Sequence, residues 1–94
     1  MDFLVIAMDG TDADAPARRT AAREDHLARM RQIKEEGRFI AGGAILDDDG
    51  NMIGSAVILD FPDRDSVEKC VADDPYTRGG VWQEVTIRPF RAVR

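Results

Sequence analysis

An α+β fold with a four-stranded antiparallel sheet and two helices on one face is what this 94-residue sequence predicts. Four stretches of the chain have the apolar composition of strands. Two others have the composition and spacing of helices with one apolar side, and turn residues separate all six. Their order is β-α-β-β-α-β (βαββαβ), which is typical of the ferredoxin-like split unit.

The first strand and the first helix are separated by a loop rich in turn residues. Residues 3–8 form a continuous apolar run, which is typical of a strand that is buried on both faces. Asp14 is a candidate N-cap for the helix, and Pro16 falls in its first turn, where a missing N–H costs nothing. The helix is expected to reach about Glu36, because Gly37 is a suitable C-terminal stop.

The middle of the chain reads as a hairpin followed by a short helix. Residues 38–46 and 52–61 are strand-like and flank the turn sequence DDDGN. Adjacent strands joined by such a short turn pair most simply with each other. Residues 63 to about 72 then have apolar side chains on one side, which predicts the second helix.

The last part of the chain is predicted to be a loop and a strand. Pro75 and two glycines favour a loop over residues 73–80, because the residue before a proline is pushed out of the helical region. Residues 82–90 form the last strand. Pro89 lacks the N–H that a ladder bond needs, so this end of the strand belongs at a sheet edge or a strand terminus.

The predicted sheet is apolar on both faces. Residues 3–6 and 57–59 are apolar at neighbouring positions, so each strand has apolar side chains on both sides. Two helices cover only one face of a four-stranded sheet. The second face therefore predicts a homodimer that packs sheet to sheet, and a monomer with a partly exposed sheet is the alternative.

Composition narrows the class of protein. The length allows one domain, residues 1–94, and a net charge of −5 argues against nucleic-acid and anionic membrane partners. No segment approaches the ~20 apolar residues of a membrane span. Cys70 is the only cysteine, so neither an internal disulfide nor a zinc cluster can form, and a cytoplasmic protein is expected.

His26, the only histidine, falls on the apolar side of the first predicted helix. At 100° per residue, Met30 and Ile33 bracket it, and Arg19 and Arg23 share the same arc. One interpretation is a core histidine with arginines that extend to solvent. The other is a pocket between helix and sheet, in which His26 is an acid or base and the arginines hold an anion. Periodicity alone leaves both open.

Five motifs together carry a family resemblance. In order, the chain contains R-x-x-x-R-x-x-H-L-A-R-M, E-E-G-R-F-I-A-G-G, G-S-A-V-I, A-D-D-P-Y and V-x-I-R-P-F. The ordered set, which covers nearly the whole chain, resembles the YciI-like (YCII-related domain) family. The chain departs from it at Gly42-Gly43, where many relatives have Gly-Pro, and the shape of the pocket wall is affected there.

The resemblance implies a bacterial, cytoplasmic protein of the dimeric α+β-barrel group. It also implies an active-site pair of histidine and aspartate, and the matching residues here are His26 and Asp74. A family member removes chloride from a chlorinated hydroxyquinol, and the wider fold group includes muconolactone isomerases. These proton-transfer reactions need no metal and no organic cofactor.

The resemblance therefore implies a cofactor-independent lyase or isomerase that acts on a small hydroxylated or anionic molecule. His26 is the expected acid or base, and Asp74 orients it. Arg19 and Arg23 are expected to bind a substrate anion, and Ser55 is a candidate hydrogen-bond donor beside Gly54, although an ordinary strand serine is the simpler interpretation. A non-catalytic ligand-binding or regulatory module, and a plain dimeric partner protein, are the alternatives.

Overall fold

The computed structural model describes all 94 residues and contains one sheet and three helices. The strands are β1 (Asp2–Asp9), β2 (Phe39–Leu46), β3 (Met52–Asp60) and β4 (Trp82–Phe90). The helices are α1 (Ala15–Glu35), α2 (Arg64–Ala72) and α3 (Pro75–Arg78). The strands are antiparallel in the order β2-β3-β1-β4, which confirms the predicted α+β ferredoxin-like fold and the hairpin between β2 and β3.

The core lies between the sheet and the helices. Phe3 and Val5 of β1 pair with Leu59 and Val57 of β3, and all four side chains are buried on this face. The helices add the buried apolar residues Ile33, Val67, Cys70 and Val71. β1 is central in the sheet, and β4 is an edge strand, so Pro89 falls at an edge as predicted.

Helix α1 begins and ends close to the predicted positions, although its start differs in detail. Asp14 occupies the N-cap position, but its side chain makes no capping hydrogen bond, so this part of the prediction was wrong. The physical reason is its backbone, which is near-helical, at ψ −5°, where an N-cap residue is usually extended. Gly37, at φ +78°, follows the C-terminus as expected. No helix is both long enough and apolar enough to cross a lipid bilayer.

The segment 73–80 is not wholly a loop, because it contains the one-turn helix α3. Asp74 is extended, at φ −66° and ψ 138°, as expected before a proline. Its side chain accepts a hydrogen bond from the Tyr76 N–H, and Pro75 takes the first position of the helix, where no N–H is needed. The proline therefore starts a turn of helix here.

The face of the sheet opposite the helices is apolar over three strands. Leu4, Ile6 and Ile58 point to this side and are half-buried. On β4, by contrast, the residues in register with β1 on this face are Glu84, Thr86 and Arg88. The sheet thus has the second apolar face that the sequence predicted, restricted to β1, β2 and β3.

Candidate active site

A cavity of about 350 Å³ lies between α1 and the β2–β3 half of the sheet. Its volume falls in the range that is usual for small-molecule sites. Nine of its fifteen lining residues are hydrophobic, so a small number of polar groups set its chemistry. The polar side chains are Arg19, Arg23, His26 and Ser55, and two of the nine hydrophobic residues, Tyr76 and Trp82, add an O–H and an N–H group.

His26 and Asp74 meet at one side of this cavity. His26 Nδ1 lies 2.8 Å from Asp74 Oδ1, and the same oxygen accepts the Tyr76 N–H at 2.8 Å. Asp74 is almost completely buried, whereas 12% of the His26 side chain is exposed. Because a carboxylate oxygen accepts, we assign the imidazole proton to Nδ1. The lone pair of the neutral ring is then on Nε2, which makes no hydrogen bond within the chain.

Two aromatic rings hold the imidazole in position. The His26 ring stacks on the Tyr76 ring, with centroids 3.9 Å apart and an interplanar angle of 14°. Trp82 packs edge-on against both, with centroid distances of 5.5 and 5.6 Å. Burial raises the pKa of the Tyr76 hydroxyl above its ordinary value, so the phenol is neutral at physiological pH. The ring plane of His26 is thus fixed from two sides.

Arg19 is buried rather than extended to solvent. Its Nη1 donates to both carboxylate oxygens of Asp9 at 2.9 Å, and its Nη2 donates to Ser55 Oγ at 3.0 Å. The guanidinium carbon also lies 4.8 Å from the centroid of the Tyr76 ring. The positive charge is therefore neutralised within the chain. Asp9, the partner, was missed because only the pairing of β1 with its neighbours brings its carboxylate beside this helix.

Ser55 and Arg23 complete the set of predicted binding residues. Ser55 Oγ accepts from Arg19 Nη2 and, at 3.1 Å, from Trp82 Nε1. Arg23 is exposed, lines the cavity, and makes no hydrogen bond or ion pair within the chain. All five residues that the sequence singled out thus lie together, and Arg23 is the one whose charge is unpaired. Tyr76 and Trp82, which are also part of the buried core, belong to the same cluster.

The cavity contains no carboxylate of its own. None of the 18 aspartates and glutamates is among its lining residues, although the chain carries a net charge of −5. Asp9 and Asp74 instead lie behind Arg19 and His26. The lining therefore offers a cation and several N–H and O–H donors, which suits an anionic or oxygen-rich molecule. No three His, Cys, Asp or Glu side chains come together in a way that would hold a metal ion.

Solved structures share this fold. 5-Chloro-2-hydroxyhydroquinone dehydrochlorinase (TftG) from Burkholderia phenoliruptrix AC1100, in complex with 2,5-dihydroxybenzoquinone, matches with a TM-score of 0.84 and 26% identity. The match covers 97% of this chain and 94% of that one. An antibiotic biosynthesis monooxygenase matches with a TM-score of 0.55 and 21% identity, over 98% and 99% of the two chains, and shows the fold alone.

Sequence comparison also finds relatives that match over nearly the full length of the chain. A Haemophilus influenzae protein is 35% identical, and the protein YciI of Escherichia coli is 31% identical, each over 99% of both chains. The YCII-related domain matches residues 1–91. The chain therefore belongs to the family of proteins built on the YCII-related domain.

Proposed function

We propose that this protein is a cofactor-independent enzyme that uses His26 and Asp74 for proton transfer on a small hydroxylated or anionic organic molecule. The observation that carries the proposal is the 2.8 Å bond between His26 Nδ1 and Asp74 Oδ1. That bond fixes the tautomer and leaves Nε2 as the basic nitrogen of a residue that lines the cavity. Asp74 is the orienting residue.

The proposed step is an elimination, such as dehydrochlorination, or an isomerisation. His26 Nε2 takes a proton from an O–H or C–H group of the substrate, and the electron pair of that bond forms a new π bond. In an elimination, a leaving group such as chloride departs with its own bonding pair. In an isomerisation, the imidazolium returns the proton to a different atom. Asp74 stabilises the imidazolium in both cases.

The lining of the cavity supports an oxygen-rich substrate. Arg23 supplies an unpaired cation, and the cavity has no carboxylate that would repel an anion. Arg19 stands in the wall as well, but Asp9 already neutralises its charge. The Burkholderia structure with a dihydroxybenzoquinone supports a ligand of the size of a single substituted ring.

Assembly and location belong to the same proposal. The apolar face formed by β1, β2 and β3 supports a homodimer in which two sheets pack face to face. We expect the protein to act in the bacterial cytoplasm, and we expect its partners to be a small-molecule ligand and a second copy of the chain.

The direct test compares the wild type with His26→Asn. Chloride release from 5-chloro-2-hydroxyhydroquinone is the first assay, because the Burkholderia relative is named for that compound. The substitution removes the base but keeps a polar side chain, so we expect kcat to fall about 10²–10⁴-fold. Binding of 2,5-dihydroxybenzoquinone should change little. Arg31→Gln, on an exposed position of α1, is the control and should keep full activity.

The alternative is a non-catalytic ligand-binding or regulatory module, which would use the same cavity. It predicts that the wild type binds 2,5-dihydroxybenzoquinone but turns over no chlorinated hydroxyquinol or lactone. Under this alternative, His26→Asn would bind 2,5-dihydroxybenzoquinone as the wild type does, and neither protein would turn over substrate. Because His26 is the only histidine, its ring resonances in an NMR spectrum report directly on ligand binding.

A further inference from the structure

The hydroxyl group of Ser55 has both of its acceptor positions occupied. Arg19 Nη2 lies 3.0 Å from Ser55 Oγ, and Trp82 Nε1 lies 3.1 Å from it. A guanidinium nitrogen and an indole nitrogen are donors only, so neither accepts a bond in return. The two lone pairs of Oγ therefore accept these two hydrogen bonds. The O–H bond must then point away from both donors.

No group of the chain accepts the Ser55 proton. Ser55 is 6% exposed and donates to no atom of the chain, yet it is one of the residues that line the cavity. A buried donor that stays unpaired costs free energy, and the cavity is the one place where a ligand meets it. Ser55 differs in this from an ordinary strand serine, which is free to exchange donor and acceptor roles.

We propose that Ser55 donates its hydrogen bond to an oxyanion of the ligand, so that the site selects compounds whose reacting form is a phenolate or an enolate. The inference rests on the proposed function, because the oxyanion would belong to the molecule on which His26 acts. Donation from Arg19 and Trp82 into Oγ polarises the O–H bond and makes it a stronger donor. A donor aimed at a developing negative charge stabilises it in a water-poor site.

Arg19 and Asp9 are positioning residues in this arrangement. Both oxygens of Asp9 bind Nη1, and this fixes the guanidinium so that Nη2 points at Ser55. The side chains of Arg19 and Asp9 are only 7% and 5% exposed, so water does not compete for the hydrogen bonds between them. Since the charge of Arg19 is paired, its contribution to the ligand passes through Ser55, and Arg23 remains the group for a direct ion pair.

The experiment measures the pKa of a bound phenol. 4-Nitrophenol is the probe, because its phenolate absorbs visible light and its ionisation is near neutral. We expect the wild type to lower the pKa of bound 4-nitrophenol below that of the free compound. Loss of one charged hydrogen bond in Ser55→Ala should raise the bound pKa by about one unit. Ser55→Thr keeps the hydroxyl and should restore the wild-type value.

A second variant separates donation from structure. Ser55→Cys keeps an atom that accepts from Arg19 and Trp82, but its S–H is a weak donor. A bound pKa raised in Ser55→Ala and Ser55→Cys and restored in Ser55→Thr supports the inference. An equal pKa in all four proteins overturns it, and so does a wild type that does not favour the phenolate.

The outcomes also separate this inference from the proposed function. If Ser55→Ala leaves the pKa of the bound phenol unchanged while His26→Asn abolishes turnover, the inference fails and the acid–base proposal stands. If the pKa shift is found but His26→Asn turns over normally, the oxyanion site stands and the acid–base proposal fails.

Discussion

At the scale of single residues, the site is built from two buried polar pairs. His26 with Asp74 and Arg19 with Asp9 both lie under the helices, where an unpaired charge would be costly. Helix periodicity placed His26 and Arg19 on the inward side of α1. Asp74 was identified only by the family resemblance. Asp9 was identified neither by helix periodicity nor by the resemblance, because sheet register, and not spacing along the chain, sets the distance between residues on different elements.

The buried Arg19–Asp9 pair makes a prediction about stability. In Arg19→Met the Asp9 carboxylate stays buried without its partner, so we expect unfolding free energy to fall by about 3–5 kcal/mol. Asp9→Asn, which leaves the guanidinium unpaired, should cost a similar amount. The double variant Asp9→Asn/Arg19→Met should lose clearly less than the sum of the two, as judged by urea denaturation. Strict additivity would contradict a coupled pair.

A second prediction concerns Asp2 and acid stability. The Asp2 carboxylate accepts hydrogen bonds from the Arg94 guanidinium and the Ala92 N–H, and these lower its pKa from 3.8 to about 2. A lowered folded-state pKa stabilises the fold fully above pH 3.8, and this stabilisation is lost as the pH falls through about 2.

The variant Asp2→Asn tests this linkage. It should have a lower Tm than the wild type at pH 7, and the difference should shrink between pH 4 and pH 2. Asp48→Asn, at an exposed position in the β2–β3 turn, is the matched control. A Tm difference between wild type and Asp2→Asn that stays constant down to pH 2 would show that the ion pair carries no such stabilisation.

At the scale of elements, the strands were predictable from their apolar composition and from the turn residues between them. The two longer helices were predictable from apolar side chains on one side and from the residues that begin and end them. The one-turn helix α3 was not, since no periodicity fits in four residues. Its start depends on two residues, Pro75 at the first helical position and Asp74, whose carboxylate accepts the Tyr76 N–H. The N-cap prediction at Asp14 failed for a different reason. Aspartate is a suitable residue type for an N-cap, but the backbone of Asp14 is near-helical and not extended.

The adjacent glycines of β2 make a prediction at this scale. A Cβ on Gly42 would lie 2.9 Å from the Ala56 carbonyl oxygen and from Val57 Cγ2, whereas one on Gly43 meets nothing within 4 Å. We expect Gly42→Ala to destabilise the protein by about 1–3 kcal/mol through overpacking. Gly43→Ala should be neutral or should stabilise it by about 0.5–1 kcal/mol. Paired urea denaturation curves give both values, and equal effects would contradict the difference in space.

At the scale of the whole molecule, the topology was predictable because the order of elements leaves few ways to cover an apolar sheet. The apolar character of the sheet face opposite the helices was also predictable, because residues 3–6 and 57–59 are apolar at neighbouring positions. The homodimer and the single domain over residues 1–94 stay predictions. The common core that the sheet shares with α1 and α2 supports a single cooperative unit.

The dimer is tested at the centre of the open face. Ile6 lies on the central strand, in register with Ala56 on one side and Thr86 on the other. A charge there opposes burial, so Ile6→Arg should convert a dimer of the wild type to monomers, measured by light scattering after gel filtration. Gln32→Arg adds the same charge on the exposed side of α1 and should leave the mass unchanged. A monomeric wild type would exclude the face-to-face dimer.

One oxygen atom, Asp74 Oδ1, both starts α3 and orients His26. Local folding and the orientation of the imidazole therefore share one acceptor, so a change that unwinds this single turn also displaces the carboxylate that holds the ring. The orientation of a ring on α1 thus depends on a turn of helix that begins at Pro75, in a distant part of the chain.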